Sequence, residues 1–242
     1  TGVDQYGRYD NPTWRAVEHV LGHLEDAQCV SFPSGMGAIS SVFFALLKSG
    51  DRVLLPADGY HATRAMAERF LKPLGITCDT RPTPTFLDGG FKGYSLVFVE
   101  TPSNPRLDIC DIATIAKAVH EQGGILVVDN TTMTPLGKRP LDFGADIVVS
   151  AEPKAATGHS AVLVGLVASR DGYDYLFEFC NRNKRGICLD VETVRGREVF
   201  ERLVRWAEVY VTNQLPRVRR KLGTEPTDLM AINPKLIYAK DH

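Results

Sequence analysis

The sequence has no uninterrupted apolar run approaching the roughly 20 residues that a membrane-spanning helix needs. It has no charge excess either: 28 Lys and Arg stand against 29 Asp and Glu, a net charge of −1. That balance excludes a generally basic nucleic-acid binder and a polybasic membrane protein. Cysteine is sparse. Cys29, Cys78, Cys110, Cys180 and Cys188 are odd in number, widely spaced and without a C-x-x-C pair. This argues against a disulfide framework and against a thiolate zinc site, so reduced thiols and a cytoplasmic location are expected. The six histidines form no H-E-x-x-H or comparable cluster, and no metal site is expected. The first residues, Thr-Gly-Val-Asp-Gln-Tyr, carry no signal-peptide apolar region. With no initiator Met, the numbering is expected to begin inside a longer chain.

What is present is ordinary globular protein. The 242 residues are 44% hydrophobic and 24% charged, enough for one large domain or two small ones with a sizeable core. Asn11 and Pro12 read as a cap and first position of a helix, followed by Trp14, Val17, Leu21 and Leu24 at helical spacing. A second helix is expected from near Gly35 to Lys48, with Gly50 placed to end it. Short apolar runs follow at Val53-Leu54-Leu55, Leu96–Val99, Ile125–Val128 and Ile147–Val149. They are continuous rather than alternating, as in strands covered on both faces. Helical stretches at His61–Leu71 and Asp111–Gln122 lie between some of them. This alternation predicts a mainly parallel α/β sheet with helices on both faces. After about Arg170 the texture changes. A helix is expected from about Gly196 to Trp206, with short runs at Val209–Val211 and Ile237-Tyr238 and a basic stretch, Gln214–Lys221, between them.

Ligands of open α/β sheets sit outside the carboxyl ends of the strands. Glu100, Asp129 and Ser150 fall at such ends, and Lys154 follows Ser150 by four residues. Ser34-Gly35-Met36 lies at a helix start, where backbone N–H groups favour an anion. A lysine, a strand-end aspartate, an anion-binding helix start and an aromatic such as Tyr60 are together what pyridoxal phosphate (PLP) needs. Singly, each has a plainer reading: turn or cap for the Asp, solvated surface for the Lys, simple helix start for the Ser. Spacing by itself does not name the cofactor.

The motifs go further. Tyr6-Gly-Arg8-Tyr-Asp-Asn11-Pro12-Thr13 resembles the Y-x-R-x-x-N-P-T opening of the Cys/Met-metabolism PLP-dependent enzymes, the relatives of cystathionine γ-lyase, cystathionine γ-synthase and methionine γ-lyase. Ser34-Gly35-Met36-Gly-Ala38-Ile39 is similar to their S-G-M-A-A-I. Glu100-Thr-Pro-Ser-Asn104-Pro105, Val128-Asp129-Asn130-Thr131, Gly144-Ala-Asp146 and Lys154-Ala-Ala-Thr-Gly158-His159-Ser160 follow in family order. The resemblance covers roughly residues 1–170. It implies the large domain of a fold-type I PLP enzyme acting on a sulfur amino acid by elimination or replacement at the side chain. It implies Lys154 as the Schiff-base lysine and later base, Asp129 at the pyridine nitrogen, Tyr60 stacked on the ring and Asn104 near its phenolic oxygen. The amides of Gly35 and Met36 would hold the phosphate. Tyr6 and Arg8 would reach a neighbouring subunit's phosphate, which implies a homo-oligomer, dimer or tetramer.

Two departures stand out. The family's S-x-T-K is replaced by Ala151-Glu152-Pro153-Lys154, so two phosphate-binding hydroxyls are missing and a carboxylate enters. Beyond about residue 170 the family's smaller C-terminal domain, with its arginine for the substrate carboxylate, has no counterpart in the motifs. Instead, Asn181–Asp190, Gly196-Arg197-Glu198, Val211-Thr-Asn213, Arg220-Lys221-Leu222-Gly223 and Ala231–Tyr238 resemble class III CoA-transferases and acyl-CoA racemases. The expected organisation is therefore 1–172 as the PLP-enzyme region and 173–242 as a short CoA-transferase-like α/β segment. That second resemblance implies a CoA-contacting surface near Asn213 and Arg220. Against it, Arg217, Arg219, Arg220 and Lys221 read as a solvated basic helix face. The alternatives to the PLP enzyme are CoA-thioester binding or transfer, and a non-catalytic fused or truncated scaffold.

Overall fold

The computed structural model describes residues 12–156, 158, 163–170, 189–212 and 214–240. It divides into two compact units, 1–183 and 184–242.

The first unit is built on a seven-stranded sheet. Its strands are β1 (Gln28–Phe32), β2 (Arg52–Pro56), β3 (Thr77–Arg81), β4 (Leu96–Glu100), β5 (Ile125–Asp129), β6 (Ile147–Ala151) and β7 (Gly165–Ser169), in spatial order β1-β7-β6-β5-β4-β2-β3. Strands β2 to β6 run parallel, while β7 is antiparallel to both β6 and β1. The helices are α1 (Pro12–Glu25), α2 (Gly35–Leu46), α3 (His61–Met66), α4 (Ile112–His120) and the single turn α5 (Thr134–Gly137). After Met66 the chain keeps winding as a π-helical turn, Ala67–Leu71.

The apolar runs do what period-2 geometry demands of a strand covered on both faces. Val53, Leu55, Leu96, Phe98, Val127, Ile147 and Val149 join one core with Ala38, Val42 and Phe43 of α2. Their neighbours in sequence, Leu54, Val97, Val99, Leu126, Val128 and Val148, join the other with Ile112, Ile115 and Val119 of α4. Asp111 caps α4 by accepting from the amides of Ala113 and Thr114. Ser34 caps α2, its Oγ accepting from the Gly37 amide at 3.0 Å. The expected end of α2 at Gly50 is displaced. The helix stops at Leu46 with Leu47 extended, and Gly50 instead serves a turn at φ +92°, its N–H bonded to Gly75 O.

The second unit holds α6 (Val194–Trp206), β8 (Val209–Thr212), α7 (Pro216–Leu222), α8 (Pro226–Ile232) and β9 (Ile237–Lys240), with β8 and β9 paired in parallel. Val204, Leu229 and Leu236 form its core. The Asn233 side-chain amide donates to the carbonyls of Val204 and Ala207 at the end of α6. Arg217, Arg220 and Lys221 are exposed, but Arg219 departs from the solvated face expected of it. It is buried, donating to Gln214 O at 2.6 Å and reaching Glu225. Among the described residues no helix is long and apolar enough to cross a membrane.

Candidate active site

At the carboxyl ends of β4, β5 and β6, closed on one side by the start of α2, lies a cavity of about 580 Å³. Parallel strands place their last side chains on one rim, so Glu100 of β4 stands opposite Asp129 of β5 in register. Lys154 enters from the turn after β6, and Tyr60 from the loop after β2. The Lys154 Nζ lies 5.1 Å from the centroid of the Tyr60 ring. Gly35 and Met36 line the α2 side and Asn104 the loop after β4. The structure thus brings six sequence-predicted residues, Gly35, Met36, Tyr60, Asn104, Asp129 and Lys154, to one cavity. Tyr6 and Arg8 lie outside the described residues, as does Asn213. Ser150 is not part of this lining: its hydroxyl bonds the Glu152 carboxylate instead.

Glycine is required where α2 meets the sheet. A Cβ on Gly35 would fall 2.5 Å from the Ala151 Cβ, and one on Gly165 would fall 2.1 Å from Ser34 O. This close approach sets the first turn of α2 directly against the end of β6. The Gly37 and Ala38 amides are taken by Ser34. The amides of Gly35 and Met36 are the remaining first-turn donors of α2.

The electrostatics follow from burial. Asp129 is almost fully buried, and desolvation pushes its carboxyl up from the ordinary range. The Thr131 hydroxyl and amide and the Lys154 charge oppose that rise. Thr131 also ties the strands together, its Oγ1 accepting from the Ala151 amide at 2.9 Å. Glu100 is pushed up to about 7, first by burial and then by Asp129. The Tyr60 N–H, Lys154 and Arg64 pull it the other way. Sequence reasoning marked Glu100 only as a polar strand end. The signal was a carboxylate closing an otherwise apolar strand, whose every residue is buried.

A second acidic group lies off the cavity. Glu25, at the end of α1, is fully buried and is pushed up to about 7 by desolvation and then by Glu152. Glu152, two residues before Lys154, is likewise raised by burial, with Ser150 as its hydrogen-bond donor.

The residues present fit PLP at the ring end: a buried carboxylate for the pyridine nitrogen, an aromatic face and a lysine amine share one cavity. At the phosphate end the fit is thinner. The two amides of α2 are present, but Ala151 and Pro153 offer no side-chain donor.

The comparisons with known proteins agree on one family. The family model described as Cys/Met metabolism PLP-dependent enzyme matches residues 1–193, past residue 170 where the recognisable motifs stop. A Bacillus subtilis relative, "Cystathionine gamma-synthase/O-acetylhomoserine (thiol)-lyase", is 40% identical over 175 residues, 71% of this chain and 46% of its own. The "L-methionine gamma-lyase" of Treponema denticola is 35% identical over 171 residues, 68% of this chain and 43% of its own. The crystal structure of metB from Corynebacterium glutamicum superposes with a TM-score of 0.68 at 32% identity, covering 74% of this chain and 49% of that one. The chain therefore spans less than half the length of these relatives. The CoA-transferase resemblance of the C-terminal segment finds no support in these matches. The cleft of about 360 Å³ along α6 is lined by Glu192, Glu198 and Glu201, and its Arg197 is tied to Glu201 and to the carbonyls of Leu222 and Gly223.

Proposed function

The chain belongs to the Cys/Met metabolism PLP-dependent enzyme family, and on that premise we propose that the cavity binds PLP and serves elimination or replacement at the side chain of a sulfur amino acid. The observation that carries this is the convergence of Lys154, Asp129, Tyr60 and the two α2 amides on one cavity. Bound PLP supplies an electron sink for negative charge developing beside the substrate's amino group.

The chain's own residues do the rest. Asp129 would hold a proton at the pyridine nitrogen, and a cation there would offset the cost of burying its carboxylate. Tyr60 would offer an aromatic face to the ring, and Asn104 a polar group for the phenolic oxygen. Lys154 would provide the anchoring amine and, at Nζ, a base for the proton on the substrate Cα. Gly35 and Met36 would donate to the phosphate, and the family resemblance adds Tyr6 and Arg8 from a neighbouring subunit of a homo-oligomer. The apolar side chains of Val17 and Val20, exposed on α1, support that interface. Residues 1–172 are the PLP-enzyme region in this reading and 173–242 a second segment; the two compact units support a division into two parts but divide at 183/184. A cytoplasmic location accords with the thiols of Cys29, Cys78 and Cys110, which are unpaired.

The test is covalent trapping. Protein incubated with PLP, reduced with borohydride and digested is expected to carry a pyridoxyl group on Lys154. The Lys154→Ala variant is expected to carry none there. Wild-type protein that takes up no PLP, or that carries it on other lysines only, overturns the proposal.

A further inference from the structure

We propose that Glu100 is a positioning residue that grips the backbone of Tyr60 and thereby fixes the aromatic wall of the cavity. The helix after Tyr60 is short, His61–Met66, and the Tyr60 side chain makes no capping bond to it. The Tyr60 amide is held from elsewhere: it donates to Glu100 Oε2 at 2.5 Å, from a residue forty positions on in the sequence. The approach is close. A Cβ on Gly59 would fall 2.8 Å from that same oxygen and 2.6 Å from Pro56 Cγ, so only glycine lets the loop reach the strand end. The rest of the loop is tied outward. The Arg64 guanidinium donates to Gly59 O and Pro56 O, and Asp58 accepts from the Thr83 amide and hydroxyl. Glu100 is the anchor that comes from the rim of the cavity itself.

The chemistry makes the grip adjustable. A carboxylate accepts from an amide more strongly than a neutral carboxyl does. Asp129, Lys154, Arg64 and the Tyr60 amide face Glu100, and His61 meets the Tyr60 ring at 5.0 Å. With its carboxyl pushed up to about 7, Glu100 changes form across neutral pH. Stronger hold on Tyr60 is therefore expected at pH 8 than at pH 6.

Only the cofactor arm of the test rests on the PLP reading. In the protein without added cofactor, amide exchange of Tyr60, corrected for intrinsic rates, is compared at pH 6 and pH 8. Glu100→Ala is expected to speed that exchange about tenfold at pH 8, the effect of losing one charge-assisted hydrogen bond. Glu100→Gln, which keeps an acceptor oxygen, is expected to retain most of the protection and to lose the pH dependence. PLP titrated against the same proteins is expected to bind about tenfold more weakly to Glu100→Ala. Exchange at Tyr60 within twofold of wild type in Glu100→Ala overturns the proposal, as does an unchanged pH dependence in Glu100→Gln. If Glu100→Ala fails to fold, the glutamine variant decides. If wild type binds no PLP, the cofactor reading falls while the exchange data still decide the role of Glu100.

Discussion

Replacing Glu25 by glutamine is expected to make the fold tolerant of alkaline pH. Glu25 sits at the end of α1 with no exposed surface, and among the described residues neither carboxylate oxygen has a hydrogen-bond partner. Burial pushes it up to about 7, with Glu152 and Asp142 adding to the rise and Arg139 and Arg170 opposing it. A carboxyl that binds its proton more tightly in the fold than outside it costs nothing at low pH. Stability is lost as pH rises from 4.5 through 7 and stays lost above. The loss is about 3 kcal/mol at pH 8, or roughly 6–12 °C in Tm for a chain of this size. Glutamine keeps the shape, carries no charge and offers an amide N–H toward Glu152. Urea denaturation at pH 5, 6, 7 and 8 measures the effect. Wild type is expected to lose about 2.5 kcal/mol more than Glu25→Gln between the two ends. Parallel curves for the two proteins would refute the assignment of buried, protonated character to this side chain. Because Glu152 lies two residues before Lys154, the same charge bears on the segment that delivers the lysine to the cavity.

Two further outcomes follow from the site's packing. The double change Ala151→Ser with Pro153→Thr restores two hydroxyl donors at the phosphate end and is expected to tighten PLP binding by about a hundredfold, read by fluorescence titration; an unchanged affinity would place the phosphate elsewhere. Gly165→Ala drives a Cβ into the Ser34 carbonyl at 2.1 Å and is expected to cost more than about 2 kcal/mol of stability in denaturant titration; a wild-type midpoint would contradict the close seating of α2 on β7.

Legibility in the sequence tracked burial. Strands β4, β5 and β6 were readable because both faces are covered, which leaves an unbroken apolar run. Strands β1 and β3 were not. They are the sheet's edges, and Gln28–Phe32 and Thr77–Arg81 mix polar and apolar residues in a way that no period betrays. Strand β7, Gly165–Ser169, is fully buried but mixes Gly, Ala and Ser with its Leu and Val, and it follows the turn that carries Lys154. The site was legible where chemistry is carried by sequence-local motifs, as for Lys154, Asp129 and Ser34-Gly35-Met36. The grip of Glu100 on Tyr60 and the facing of Glu25 and Glu152 were not, because both depend on which strands and helices become neighbours. Ser150 illustrates the limit: one residue before Ala151, it turns away from the cavity that Ala151 lines.

The antiparallel strand β7 also imposes an order on biosynthesis. Among the described residues β1 pairs with β7 alone, matching Gln28 to Ser169 and Phe32 to Gly165, partners separated by roughly 140 residues of chain. A ribosome adding about 5–20 residues per second leaves β1 without its partner for on the order of ten seconds. During that time the parallel strands β2 to β6 emerge and can assemble, while β1 waits with its hydrogen-bonding edge open. That edge of β1 is thus exposed until residue 169 has cleared the exit tunnel, and that interval is where a chaperone would have most to do.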